Sequence, residues 1–533
     1  MTRDLTKLTD RVFDILIVGG GIYGLTIACD AAERGLSVAL IDRGDFGSGS
    51  SFNHLRTIHG GLRYLQTCDI GRARESIRER RTLAHIAPHT VRPLAFALPL
   101  YRSLTKGRLA MRAGFLLDRL VAADRNRGLP ASHWLPAGRV ISRGEAIERF
   151  PGLRRQGLTG AAVWYDYTMP EADRLTFSWA IAAHAHGAVL ANYVDAVDTL
   201  SREGRDGCIG GARAVDALTG QAFDIRATLT IDTTGGRFGG AGGSPMPLLK
   251  AMNLVTRRDA GDEALGGASA SGRHLFLVPC RTRAIFGTWE SAERCDPGHA
   301  APDEPEIAGF INELNDVFPS LDLRREDVTL VHRGAVPAAL RPDGSVALEG
   351  HEQIRDRAAD GLISVAGTKY TTARAVAERV TDLALRALQR PAAPCRTAST
   401  PLPGGGLHDV AALIAAARRE HDARLPSDTI PHLVTAYGTR YSEVLGVAGQ
   451  RLEWLGRLAD DSPVIGAELV WAIRQEMAIT LNDAVIRRTP LGAMGYPGDA
   501  AATRAAEIVG GELGWTDERK RREIEALRRF YEN

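Results

Sequence analysis

Residues 13–42 read FDILIVGGGIYGLTIACDAAERGLSVALID. An apolar, β-prone run meets three consecutive glycines, a helical stretch follows, and SVALID closes with a second apolar run, which together make a strand–helix–strand unit. Leu25, Cys29 and Ala32 share the helix face expected to turn inward, Asp30, Glu33 and Arg34 are expected in water, and Gly35 ends the helix. Gly19, Gly21 and Gly24 stand in GxGxxG register where the first strand gives way to the helix. In that position the first glycine serves a tight turn, the second lets a pyrophosphate approach the backbone, and the third lets helix and strand pack closely, with the helix dipole favouring the anion. Asp42 ends the second strand, 18 residues after Gly24. A carboxylate there accepts hydrogen bonds from a ribose diol and repels a 2′-phosphate, so a dinucleotide of the FAD or NAD kind is expected rather than NADP.

The chain has 533 residues, more than one compact core usually holds, so at least two domains are expected. Hydrophobic residues make up 44% and charged residues 24%, the balance of a globular protein rather than a disordered one. Basic and acidic side chains number 66 and 64, so no global field selects nucleic acid, and any anion site must be local. The six cysteines are widely spaced, with no CxxC or Cys/His cluster, which argues against a disulfide framework or a structural metal. No uninterrupted apolar stretch of about 18 residues occurs, and a cytoplasmic, non-spanning protein is expected.

Outward from the first unit, residues 70–90 are rich in arginine and glutamate and read as a helix with a solvated face. KGRLAMRAGFLLDRLVAADRNR (106–127) alternates basic residues with Leu109, Met111, Phe115, Leu116, Leu117, Leu120 and Val121, the pattern either of a buried helix or of one lying on a membrane. ATLTIDTTGGRFGG (227–240) and GLISVAGTKYTTARAVAE (361–378) repeat the strand-then-glycine motif, while LFLVPC and RAIFGTWE read as paired antiparallel strands. PLPGGG (401–406) reads as a hinge before an almost wholly helix-forming tail. The expected fold class is α/β: a Rossmann-type FAD-binding domain, an interleaved antiparallel-sheet substrate domain and a C-terminal helical domain. The cofactor portion takes about 12–100, 160–240 and 355–400, the substrate portion about 101–159 and 241–354, and the helical domain 401–533.

DFGSGSSFNHLRTIHGGLRYLQ (45–66) resembles the run that follows the first βαβ unit in FAD-dependent glycerol-3-phosphate dehydrogenases, with IHGGLRYL its most specific part. The resemblance continues in family order through LAHIAPHTVRPLAFALPLY (83–101), YDYTMPEADRL (165–175), IDTTGGRF (231–238), FLVPCRTRAIFGTWE (276–290), AGTKYTTARAVAE (366–378) and EMAITLNDAVIRRTPLG (476–492). It implies a D-amino-acid-oxidase-like fold, FAD as cofactor, and a set of site residues. Ser50 and Ser51 would contact the diphosphate, Thr57, His59, Gly60 and Gly61 would run beside the isoalloxazine, and Val194 would present backbone to adenine. Thr234 and Gly235 would approach from the second glycine strand, and Gly367, Thr368 and Lys369 would lie near the pyrimidine end. Arg63, Tyr64 and Lys369 would face a small anionic substrate, glycerol 3-phosphate or an analogue.

One block departs from the family. Where relatives have SGVRPL, with an arginine that helps to hold the substrate anion, this chain has RGAVPA, which puts Arg333 at the serine and Val336 at the arginine. A further family arginine falls near Gly350. Arg333, Arg341 and Arg355 are the candidates to replace the lost charge, and Trp289 and Glu290 in place of Thr and Asp imply a different pocket shape. The leading expectation is oxidation of glycerol 3-phosphate to dihydroxyacetone phosphate by hydride transfer to flavin, with His59, His332 or a water held by Tyr64 as the base. A quinone-type acceptor and the inner face of the cell membrane are the expected partners. A different small hydroxy acid, polyol phosphate or amine as substrate, and a non-catalytic flavoprotein, are the alternatives. Glu476, Asp483 and Arg487 are spaced to line one helical face that would dock the tail by salt bridges.

Overall fold

The computed structural model describes every residue except 66, 103–106, 236–237, 239–245, 297–298, 422–424 and 533, and every described side chain but those of Arg63 and Asp206. Among the described residues, eight strands form a first sheet: β1 (Val12–Val18), β2 (Val38–Ile41), β7 (Val189–Ala191), β8 (Val194–Arg202), β9 (Arg205–Asp216), β10 (Ala222–Asp232), β17 (Gln353–Arg357) and β18 (Leu362–Ala366). β1 runs parallel to β2 and β10, and β10 runs parallel to β18, so the carboxyl ends of these strands open on one crevice. In open α/β sheets that crevice is where ligands bind.

Helix α1 (Ile22–Glu33) connects β1 to β2 and is wedged between α6 (Ala172–Ala185) and α8 (Ala373–Ala387). It therefore has no wet side, contrary to the expectation for Asp30 and Arg34. Asp30 is fully buried, and the Arg34 guanidinium, 2% exposed, lies between Asp30 and Asp382 at 2.8 and 2.5 Å. The charges are tolerated there because they neutralise one another.

Ten further strands among the described residues make a second sheet. They are β3 (Thr57–Ile58), β4 (Arg92–Tyr101), β5 (Arg139–Ser142), β6 (Leu158–Thr168), β11 (Leu248–Thr256), β12 (Glu263–Ala268), β13 (His274–Cys280), β14 (Arg283–Cys295), β15 (Val328–Leu340) and β16 (Val346–Leu348). LFLVPC and RAIFGTWE pair antiparallel as β13 and β14, with Val278 opposite Ile285. Helix α7 (Glu304–Val317) covers one face, where Phe310 and Leu314 pack on Met252, Leu254 and Phe286. On the opposite face Val255, Ile285 and Leu330 pack against the C-terminal helices. The sheet includes β3, β4 and part of β6, from stretches assigned above to the cofactor portion.

The connecting segments add α2 (Leu62–Leu65), α3 (Ile70–Ile86), α4 (Arg108–Val121) and α5 (Arg143–Arg149), the last two packed on β5 and β6. The solvated reading of α3 holds for its outer face alone. Glu79 is fully buried against Arg374 of α8, whose Nη2 donates to Glu79 Oε1 at 2.8 Å, and Arg80 is buried against Asp166 of β6. The i, i+3/i+4 pattern counts charges but cannot show that partners arrive from α8 and β6.

The tail comprises α9 (Val410–His421), α10 (Thr429–Tyr437), α11 (Tyr441–Ala448), α12 (Gly466–Glu476), α13 (Asp499–Leu513) and α14 (Asp517–Glu532). Residues 401–406 form a packed joint rather than a loose hinge. Leu402 N–H donates to Ile86 O at 2.9 Å, Thr439 N–H donates to Gly404 O at 3.1 Å, and a Cβ on Gly405 would lie 2.1 Å from Ile86 O. Glu476, Asp483 and Arg487 do not share one helix, because α12 ends at Glu476, where Met477 turns into the left-handed region, and Asp483–Arg488 form a separate π-helical turn. They dock the tail nonetheless. Arg174 of α6 pairs with Glu476, while Arg487 Nε and Arg488 Nη1 donate to Asp45 at 2.6 and 2.7 Å. Burial would raise the Asp45 pKa, but the two guanidinium groups outweigh it and hold it well below the usual carboxylate range.

Candidate active site

The glycine turn is built as its spacing requires. Gly19 has φ +109°, which L side chains rarely adopt, and a Cβ on Gly24 would sit 1.9 Å from Gly19 O. Helix α1 opens at Gly21, which has no side chain to cap it, and carries no acidic residue in its first turn. Ser51 Oγ accepts from Ile22 N–H at 2.9 Å, while Ser50 is exposed beside it. Asp42 closes β2 with its carboxylate clamped by Gly20 N–H at 2.6 Å and Gly44 N–H at 2.8 Å. Burial pushes its pKa up, and the two backbone donors oppose that shift. Val194 N–H donates to Asp42 O at 2.7 Å, so β8 starts against the same carboxyl-end rim.

On β10, Asp232 ends the strand opposite Val18. Burial pushes its pKa up to about 6, although Thr234 donates to it from both N–H (2.8 Å) and hydroxyl (2.6 Å). Gly235 follows with φ +77°. Across the crevice, β18 runs out at Gly367 and Thr368 before a short turn into α8, and a Cβ on Gly367 would strike the Tyr23 hydroxyl at 2.5 Å. The strand ends and the start of α1 thus bring glycine backbone, the Ser51 hydroxyl and the Asp42 and Asp232 carboxylates to one crevice. That arrangement, from the α1 start to the β18 end, fits a flavin dinucleotide.

The loop from Thr57 to Gly61 lies beside that end, since His59 N–H donates to Thr371 Oγ1 at 3.3 Å. Gly60 N–H donates to Asp166 Oδ1 at 2.7 Å, and a Cβ on Gly60 would overlap the Arg80 guanidinium. Asp166 is the hub. It is 3% exposed, accepts from Arg80 and from Trp164 Nε1 (3.2 Å), and lies 3.5 Å from His59 Nδ1. Burial alone would raise its pKa, but Arg80, His59 and the Gly60 N–H outweigh burial and keep it ionised. His59 Nε2 is 2.8 Å from Thr57 Oγ1, and the imidazole side chain is 44% exposed.

Lys369 Nζ donates to Ser76 Oγ of α3 and stands 4.4 Å from the centre of the Tyr64 ring. Arg63 belongs to α2, and its side chain lies outside the described residues. The structure therefore gathers Thr57, His59, Gly60, Gly61, Tyr64, Gly367, Thr368 and Lys369 into one region.

Arg333 is not among them. β15 pairs with β11 in unbroken register from Leu248 to Val255, with Arg333 opposite Met252 and His332 opposite Asn253. Directly opposed residues share a face, and Met252 belongs to the core under α7, so Arg333 turns away from the crevice. Among the described residues its buried Nη1 has no hydrogen-bond partner, and burial lowers its pKa. His332 occupies the crevice face but is fully buried, edge-on to Phe52 at 5.1 Å. Burial first, then Arg56, holds its pKa well below the ordinary value. Arg341 and Arg355 are exposed. Trp289, opposite Met252, also faces α7, so the bulkier residue there does not reshape the crevice wall that Thr288 and Asn253 form through a 3.0 Å hydrogen bond.

Sequence reasoning passed over Arg80 and Arg72 as members of a solvated helix, and saw Asp166 only as part of a motif. The signal for Asp166 was its place in YDY on an otherwise apolar strand, where a charge needs a partner.

A family model described as FAD dependent oxidoreductase matches residues 14–383, and one described as the C-terminal domain of alpha-glycerophosphate oxidase matches residues 395–520. The mitochondrial glycerol-3-phosphate dehydrogenase of Mesocricetus auratus is 33% identical over 553 residues, covering 99% of this chain and 74% of its own. The glycerol-3-phosphate dehydrogenase of Synechocystis is 30% identical over 555 residues, covering 99% and 98%. In fold, the chain is similar to the X-ray structure of glycerol-3-phosphate dehydrogenase from Bacillus halodurans complexed with FAD, with a TM-score of 0.75 at 24% identity over 99% of this chain and 96% of that one.

Proposed function

We propose, for a chain that belongs to the family of FAD-dependent glycerol-3-phosphate dehydrogenases, that it oxidises sn-glycerol 3-phosphate to dihydroxyacetone phosphate. The observation that carries the reading is the His59–Asp166 pair at the ring end of the crevice, beside Tyr64 and Lys369. FAD, when bound, accepts the hydride from the carbinol carbon. The chain supplies the rest. Gly19, Gly21, Gly24, Asp42, Ser50, Ser51 and Val194 hold the ADP half, while Thr57, His59, Gly60, Gly61, Thr234, Gly235, Gly367, Thr368 and Lys369 line the flavin half. With its Nδ1 proton facing the Asp166 carboxylate, His59 has Nε2 as the acceptor, held at 2.8 Å by the Thr57 hydroxyl until the substrate hydroxyl takes that place and gives up its proton there. His332 is unsuited to that task, since it is sealed behind Phe52. Arg63 and Lys369 draw the phosphate end in, so binding energy there positions the carbinol. The test is anaerobic addition of glycerol 3-phosphate to the purified yellow protein. Bleaching of the flavin band is expected, whereas a flavin that stays oxidised would turn the reading towards another small hydroxy acid, polyol phosphate or amine.

We further propose a peripheral membrane position with a quinone-type acceptor. No helix of the described residues is long and apolar enough to cross a membrane. On α4, however, Leu109, Leu116 and Leu120 are 80%, 62% and 72% exposed and are interspersed with exposed Arg112 and Arg119. Cations beside a leucine stripe suit the headgroup boundary of an anionic bilayer. The inner side of α4 packs Leu117 and Val121 on Tyr64, Leu65 and Ala73, so a docked α4 places the membrane next to the active site. We also read 12–400 as the interleaved cofactor and substrate portions and 401–533 as the helical unit.

A further inference from the structure

Arg72 stands on the inner side of α3, one turn before Ser76, with its side chain 9% exposed. Its guanidinium carbon is 4.7 Å from the centre of the Tyr64 ring, and Nη2 donates to Gly350 O. Lys369 Nζ reaches the same ring at 4.4 Å and the Ser76 hydroxyl of the same helix. Two cations therefore gather on one aromatic side chain. Among the described residues, Glu352 is 4.0 Å from Arg72 and is held more closely by Arg379, which also takes Glu75 at 2.5 Å. Two cationic groups converging on one ring give a small anion two donors at once. Moreover, a Cβ on Gly61 would lie 2.9 Å from both Ser76 Oγ and Tyr64 Cδ2, so this corner adjoins the loop that carries His59.

We propose that Arg72, acting with Lys369, is the positioning residue for the phosphate of the substrate, a role that rests on the reading of the substrate given above. It supplies from α3 the charge that Val336 cannot give from β15, and that Arg333, on the far face of the same strand, does not bring to the crevice. A guanidinium suits this task because its planar fork meets two phosphate oxygens at once.

The holoenzyme tests this with inorganic phosphate as the probe, followed through the perturbation of the flavin spectrum, and with glycerol 3-phosphate turnover. Arg72→Met should weaken phosphate binding at least tenfold and lower kcat/KM for glycerol 3-phosphate on the order of 100-fold, mainly through KM. Arg72→Lys should recover part of both losses, and Arg355→Met, on an exposed strand, should change neither. Phosphate binding unaltered in Arg72→Met, or weakened equally in Arg355→Met, would overturn the proposal. Should Arg72→Met fail to retain FAD, Arg72→Lys decides: binding as tight as in the parent protein refutes the fork. If glycerol 3-phosphate leaves the parent flavin oxidised while phosphate binding depends on Arg72, the substrate reading fails and the anion subsite stands.

Discussion

Helices α3 and α4 follow one another in the chain and invert the usual rule for what is inside. α3, with a mean hydropathy far on the polar side, buries Glu79 and Arg80, whereas α4 exposes three leucines and buries Phe115. The difference lies in what each helix meets. The inner side of α3 meets Arg374 and Asp166, complementary charges delivered by α8 and β6, so its ions are neutralised inside the protein. The outer side of α4 meets nothing among the described residues that could cover Leu109, Leu116 and Leu120. Charge inside is thus a sign of a built partner, and grease outside is a sign of a partner the chain does not itself supply.

The sharpest way to break the comparison is to strand a charge on α3. Glu79→Ala leaves the Arg374 guanidinium buried, with only the partly exposed Glu378 and neutral Thr397 and Cys395 as company. Removing one member of a buried pair costs about 3–5 kcal/mol. A loss of that size in denaturant-induced unfolding is expected, while a change under 1 kcal/mol would mean that α3 is as wet as its composition implies.

Next in size is Asp166→Asn, which tests whether the buried charges of α3 serve the chemistry. Arg80 fixes Asp166, and Asp166 orients His59, so the variant keeps the shape but leaves Arg80 and His59 facing a neutral amide. Turnover should fall about 100-fold with the KM for glycerol 3-phosphate little altered. Equal loss in both terms would indicate general disruption instead of a lost orienting carboxylate.

These two helices also mark what sequence can convey. The βαβ unit, the GxGxxG turn and the packing of Gly24 on Gly19 were legible because they are local: strand, turn and helix lie within 30 residues, and periodicity reports them. IHGGLRYL was legible because every residue needed for the resemblance is contiguous. The ionic inner side of α3 was not, since its partners come from residues 166 and 374, far along the chain. Nor was the placement of Arg333, which depends on a strand register that a one-residue slip would invert. For α4 the leucine pattern was visible, but burial and membrane contact share the same periodicity, and exposure alone separates them.

A smaller effect sharpens the other half of the comparison. Leu116→Glu combined with Leu120→Glu should leave unfolding stability within about 0.5 kcal/mol, as exposed substitutions do. The same variant should abolish flotation with anionic liposomes, because burying each leucine in the acyl boundary is worth about 1.5–3 kcal/mol. If stability drops instead, α4 is covered by protein, and the inversion of inside and outside belongs to α3 alone.

The smallest expected effect lies where the two helices join. Arg74 and Arg81, on the outer side of α3, both bind Asp124 just beyond α4, at 2.6 Å each, and Arg74 Nη1 also donates to Val121 O at 2.6 Å. Cations thus meet the carbonyl end of α4 as its dipole favours. The hydrogen bond from Arg74 first, then Arg81, outweighs modest burial and holds the Asp124 carboxyl far below the ordinary 3.8. A depressed carboxylate contributes stability above the ordinary value and loses it as pH falls below that value towards the folded one. Because Arg74 is 43% exposed and solvent screens it, the contribution is about 0.5–1 kcal/mol and not the full shift. Asp124→Asn should therefore destabilise by that amount at pH 7, with the gap to the parent protein closing as pH drops below 3.8, and should weaken liposome binding only slightly. A gap independent of pH would assign the link to geometry at the α4 terminus, and a large loss of liposome binding would show that α3 holds α4 in its docking pose.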